Sequence, residues 1–168
     1  IVAFEIWRRA RERVTHLALL DTTPHPDKPQ RRALRLEQIA KVETGRLRDV
    51  LVESMKPLYL ARRNRGNRRL LQSIVDQALA LGPDVFRRQS LALRDRVDST
   101  ATLPTIDCPA LVLCRREDEL CPVEWHSAMA AAIPRADLVV LAECGHLSTM
   151  EEPGAVTAAL KRLLRRPA

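Results

Sequence analysis

Three short apolar runs constrain this chain more than any other feature. Ala110-Leu111-Val112-Leu113-Cys114 follows Pro109 and ends in charges; Leu138-Val139-Val140-Leu141 lies between Pro134 and Gly145; Val14 to Leu20 ends at the turn cluster Asp21-Thr22-Thr23-Pro24. Two of the three are continuous rather than alternating, the pattern of a strand buried on both faces of a parallel sheet. Parallel neighbours need long crossovers, usually helical, and helix-period sequence separates each run from the next.

The helical stretches can be read from their apolar spacing. Residues 1–13 form the end of a helix with Val2, Ile6 and Ala10 on one face. About four helices occupy 30–95: one marked by Leu34, Ile39 and Val42; one by Leu47, Val50, Leu51 and Leu58; one by Leu70, Leu71, Ile74, Val75, Ala78 and Leu79, stopping at Gly82-Pro83; and one from Asp84 to Arg96. Pro122-Val123 opens a helix through Met129 and Ile133, and the last starts near Glu152-Pro153. The expected fold class is α/β: about three parallel strands with flanking helices, a partial core over 1–26 and 103–168, with an all-helical insertion over 27–102. Such a sheet leaves the first strand with an apolar edge whose only polar residues are Thr15 and His16. That edge is expected to self-associate or to pair with a further N-terminal segment.

Composition narrows the function classes. No apolar run approaches the roughly 18 residues of a membrane helix, which excludes a spanning helix. None of the 5 glycines forms a GxGxxG or a P-loop. The net charge of +7 divides as +1 over 1–26, +8 over 27–102 and −2 over 103–168. A basic stripe of that kind attracts phosphates, but only Tyr59 and Phe86 could stack on bases there, which argues against a nucleic-acid binder. The four cysteines, Cys108, Cys114, Cys121 and Cys144, form no CxxC pair, and the chain has no NxS/T sequon, so a reducing, cytoplasmic setting is expected. A metal site from Cys121, His126, Cys144 and His146 matches no zinc spacing, so no metal or cofactor is expected.

Two loops carry chemistry. Arg116 to Pro122 follows the second strand, and Glu143-Cys144-Gly145-His146-Leu147-Ser148 follows the third. Loops at the C-terminal ends of parallel strands are where α/β folds build sites. With the strands adjacent, Asp118 and His146 fall within hydrogen-bond reach. A buried carboxylate there accepts the Nδ1–H of the imidazole, fixes its tautomer and stabilises the imidazolium.

Residues 106–122 resemble the strand and acid loop of α/β-hydrolases, often I-x-C-P-T-L-V-L-x-G-x-x-D-x-x-x-P. Residues 134–148 resemble that family's last strand and histidine loop, and residues 2–24 its helix after the nucleophile elbow together with the next strand. Arg115 departs from the pattern's glycine, and Arg11 from the proline usual before Glu12-Arg13-Val14. The resemblance implies a serine hydrolase acting on an ester, lactone or related acyl bond, with His146 as general base then acid and Asp118 as its orienter. It makes 27–102 a cap over a small, partly apolar substrate. No G-x-S-x-G is present, and the chain opens on Ile1 with no signal-peptide features, so the nucleophile is expected upstream in a longer protein and this chain alone is expected to be inactive. The alternatives are a non-catalytic interaction module of the same fold and, less favoured, a basic helical nucleic-acid binder.

Overall fold

The computed structural model describes residues 1–55, 59–118 and 120–168; Leu58 and Glu119 lie outside the described residues. Strands β1 (Leu17–Leu20), β2 (Ala110–Arg115) and β3 (Ala136–Leu141) form one parallel sheet in the order β1-β2-β3. Leu17 pairs with Ala110 and Leu20 with Leu113; Ala110 pairs with Ala136 and Arg115 with Leu141.

Side-chain alternation along β2 explains why its sequence is apolar without a break. Ala110 and Val112 point into a core with Phe4, Trp7, Leu17, Leu19, Met129 and Ile133. Leu111 and Leu113 point the other way, onto Val156, Ala159 and Leu163. The sheet is therefore covered on one face by α1 (Val2–Ala10) and α5 (Val123–Ala132), and on the other by α7 (Pro153–Leu164). Every residue of β2 is buried.

Between β1 and β2 lie α2 (Pro29–Glu43), the single turn α3 (Leu47–Asp49) and the long α4 (Arg68–Arg94). They carry a core of their own, in which Val42, Leu47, Val50 and Leu51 meet Ala78, Leu79 and Phe86. Helix α4 is broken at Gly82, where φ is +79° ahead of Pro83, the place the Gly-Pro pair marks in the sequence. A short helix, α6 (Ser148–Glu151), precedes α7.

Three details differ from the sequence reading. Helix α1 buries Phe4 and Trp7 and leaves Val2 and Ile6 exposed, because two aromatic rings outweigh the smaller aliphatic face, and Thr105 Oγ1 satisfies the Trp7 indole N–H at 3.0 Å. The segment marked by Leu47, Val50 and Leu51 is one α turn followed by a π-helical stretch, Val50–Met55, not a regular helix. Strand β1 begins at Leu17 rather than Val14, since Arg11–Arg13 forms a 3₁₀ turn first.

Leu113→Ala is expected to lower unfolding free energy by about 2–5 kcal/mol, since its cavity is walled by strand and helix on all sides. Leu164→Ala, at a position 67% exposed, is expected to change it by less than about 0.5 kcal/mol. Urea denaturation of both variants provides the check.

Candidate active site

The site forms where the β2 and β3 chains leave the sheet. Asp118, three residues past β2, is buried, and its carboxylate is fixed from two directions. Oδ1 accepts the backbone N–H groups of Leu120 at 2.8 Å and Cys121 at 3.0 Å, a local turn that aims the side chain. His146 Nδ1 lies 3.0 Å from Oδ2 and 3.2 Å from Oδ1. Burial pushes the Asp118 carboxyl upward, but the hydrogen bond and charge of His146 and the two N–H groups outweigh it, holding the carboxyl below its ordinary value. A proton on Nδ1 satisfies the carboxylate, and Nε2 has no hydrogen-bond partner among the described residues. The imidazole is thus oriented with its second nitrogen unengaged, the arrangement a general base requires.

His146 is placed by a tight loop. Gly145 is needed there for space: a Cβ would stand 2.3 Å from the backbone nitrogen of Ala61 and 2.4 Å from the carbonyl carbon of Leu60. Glu151 spans the same junction. Its Oε1 accepts the Gly145 N–H at 2.8 Å, while Oε2 accepts the Ala61 N–H at 2.9 Å and the Asn64 side-chain amide at 2.8 Å. The Tyr59 ring stacks on His146, with centroids 6.1 Å apart and planes 23° from parallel, and Tyr59 O accepts the Leu147 N–H at 3.3 Å. Burial pushes the Tyr59 hydroxyl up to about 12, so it remains protonated.

Of the two residues the sequence singles out, both are here and in contact. His126, the other histidine of the metal set considered above, is fully buried beside the site. Its Nε2 accepts the Thr22 N–H at 3.1 Å, which leaves the Nδ1 proton for Pro122 O at 3.1 Å, and burial lowers its pKa. Cys121 and His146 do approach each other: with Asp118, their donor atoms lie within 4.8 Å. The Asp118 oxygens already accept N–H groups, and burial pushes the Cys121 thiol up to about 12, so the thiol is protonated where it stands. Ser148 Oγ donates to Asp21 Oδ2 at 2.6 Å, and Cys144 is buried with its thiol pushed up to about 12. A cleft of about 500 Å³ beside Asp118 is lined by Arg62, Arg63, Arg116, Glu117 and Glu143.

Four neighbours of the site escape the sequence reading. Asp21 is a turn residue in sequence, Arg115 only a departure from a pattern, and Tyr59 one of few aromatics in a basic stretch. Glu151, the first of two adjacent glutamates, differs in sequence from Glu152 only by one position.

Residues 2–160 match the model of the alpha/beta hydrolase family, and the chain belongs to that family. A RutD protein of Pseudomonas savastanoi pv. phaseolicola, named for carbamate hydrolysis, is 37% identical over 82 residues, which are 46% of this chain and 31% of that protein. Among solved structures, a thermophilic esterase from Thermogutta terrifontis superposes with a TM-score of 0.91 at 33% identity, covering 98% of this chain and 60% of the esterase. The enol-lactonase of Burkholderia xenovorans LB400, at 20% identity and a TM-score of 0.85, shares the fold over 98% of this chain and 61% of its own. This chain thus spans less than two thirds of the relatives it matches. Among the described residues, no helix is long and apolar enough to cross a membrane.

Two variants test the geometry. Gly145→Ala drives a methyl group into the Leu60–Ala61 backbone and is expected to destabilise the fold by about 1–3 kcal/mol, measured by chemical denaturation. Asp118 has a depressed pKa, so its contribution to stability is complete above the unfolded carboxyl value, about 3.9, and is lost as pH falls through the lower folded value. Denaturation midpoints followed from pH 6 downward are expected to fall less steeply for Asp118→Asn than for the parent.

Proposed function

We propose that this chain supplies the base and its orienter to a Ser-His-Asp hydrolase. His146 takes the serine proton through Nε2 and later returns it to the leaving group, while Asp118 holds the imidazole and stabilises its cation. The observation that carries this reading is the imidazole 3.0 Å from a buried carboxylate, with its other nitrogen unengaged. The serine and the oxyanion-hole donors come from sequence outside residues 1–168, which contain no G-x-S-x-G. Family membership and the names of the more similar relatives support an acyl bond as the target, an ester, lactone or carbamate of a small molecule. The helices of 27–102 act as its cap, and the bonds that tie the connecting segment 59–61 to Leu147 and Glu151 support that role.

The 168-residue chain alone is expected to hydrolyse p-nitrophenyl esters no faster than a histidine-containing control protein, because no nucleophile among the described residues hydrogen-bonds to His146 Nε2. Joined to a segment carrying the nucleophile elbow, it is expected to gain turnover that His146→Ala reduces by about 10⁴-fold or more. Turnover of the joined protein that survives His146→Ala would remove the assignment.

A second proposal concerns association. Among the described residues, strand β1 pairs with β2 on one side only, and Leu17 and Leu19 anchor it in the core. Its outer edge takes up another strand, from a second copy or from an N-terminal segment. Light scattering of the isolated chain at tens of micromolar is expected to show species larger than a monomer; a monomer with a cooperative thermal transition would contradict this.

A further inference from the structure

Arg115 occupies the glycine position of the resembling pattern, and its side chain is wholly buried beneath Asp118. Its Nη2 contacts two carboxylates: Asp21, and Asp118 at 3.3 Å. Nε and Nη1 have no hydrogen-bond partner among the described residues, so the buried cation is held by these two acids. Two strand ends and the start of α6 converge here. Asp21 closes β1, Arg115 closes β2, and Ser148, just after the histidine loop of β3, donates to Asp21 at 2.6 Å. Asp21 is itself locked in place, with φ at +54° and its N–H on Leu113 O at 3.0 Å; aspartate is among the few non-glycine residues that tolerate this conformation.

A guanidinium facing Asp118 alone would compete with the imidazole. In a low-dielectric interior it would draw on the same carboxylate charge and loosen the hold on His146. Asp21 alters the balance, because it makes the closer contact with Arg115 and leaves the three groups with the net −1 charge that Asp118 would carry by itself. The buried histidine and cysteines around the cluster add no charge to it. His126 is kept neutral by burial, and burial pushes the thiols of Cys114, Cys121 and Cys144 up to between about 11 and 12.

Resting on the triad reading above, we propose that Arg115 and Asp21 act together as a positioning pair. Arg115 fixes Asp118 from beneath, and Asp21 absorbs the guanidinium charge so that Asp118 keeps His146 as its partner. Burial raises the Asp21 carboxyl to about 6 against the opposing pull of Arg115 and Ser148, so Asp21 serves as counter-charge most fully above that value.

Proton NMR of the intact protein above pH 7 reads the pairing directly. The His146 Nδ1 proton, in a charge-assisted bond to Asp118, resonates far downfield and is assigned by its loss in His146→Ala. In Asp21→Asn, Arg115 is left with Asp118 alone, and the resonance is expected to move upfield; Arg115→Met combined with Asp21→Asn is expected to return it to the parent position. Ser148→Ala, a milder change that removes only the hydroxyl anchoring Asp21, is expected to move it in the same direction by less, and keeps the test alive if Asp21→Asn unfolds. A resonance unmoved in Asp21→Asn and Ser148→Ala, or one the double variant fails to restore, overturns the proposal and leaves Arg115 as space-filling. A parent protein with no such proton fails at the His146–Asp118 pairing itself, and the proposal falls with the triad.

Discussion

The buried guanidinium of Arg115 sets the terms for everything at the C-terminal edge of the sheet. A cation with no exposed surface is tolerated only beside compensating charge, and here the compensation comes from Asp21 on one side and Asp118 on the other. That requirement ties the ends of β1 and β2 to one point and, through Ser148, brings in the loop after β3. The sheet core beneath is apolar and non-directional: it sets strand order and spacing, but not where a carboxylate points. Asp118 is aimed by polar contacts, namely two backbone N–H groups, one imidazole and the guanidinium of Arg115. Packing makes the platform, and hydrogen bonds make the site.

A second junction holds the histidine loop against the helical segment. Glu151 accepts from Gly145 on one side and from Ala61 and Asn64 on the other, and the missing side chain of Gly145 lets the two backbones come this close. Each carboxylate oxygen serves a different partner, so the amide of a glutamine would keep only one acceptor. Tyr59 adds a ring face against His146. The segment around 59–64 is therefore part of the wall around the imidazole.

Much of this was legible in the sequence, for physical reasons. Continuous apolar runs at 110–114 and 138–141 do mark parallel strands, but only the first is buried on both faces; β3 is half-buried, with Leu138 exposed, because it pairs with β2 alone among the described residues. The Gly82-Pro83 break in α4 follows from local backbone chemistry. Asp118 and His146 could be found because each follows a strand directly, so local sequence fixes their place. Asp21, Arg115 and Glu151 could not, because each acts through partners far along the chain: Glu151 is 90 residues from Ala61, and Ser148 is 127 from Asp21. Helix α1 shows another limit. Spacing identified a helix, but which face turned inward depended on Phe4 and Trp7 meeting a core built mostly from residues after 100.

The parallel register of β1 on β2 has a consequence for how the chain is made. Leu17 pairs with Ala110, so β1 leaves the ribosome well before its partner exists. At about 5–20 residues per second, synthesis of the intervening chain takes on the order of 5–20 seconds. During that time Leu17, Leu19 and Leu20 lack β2, their partner in the structure, while the helices α2 and α4 have their mutual contacts already in hand. The helical insertion is thus the part of this chain able to form early, and the sheet waits for β2, the strand that gives both of its faces their core.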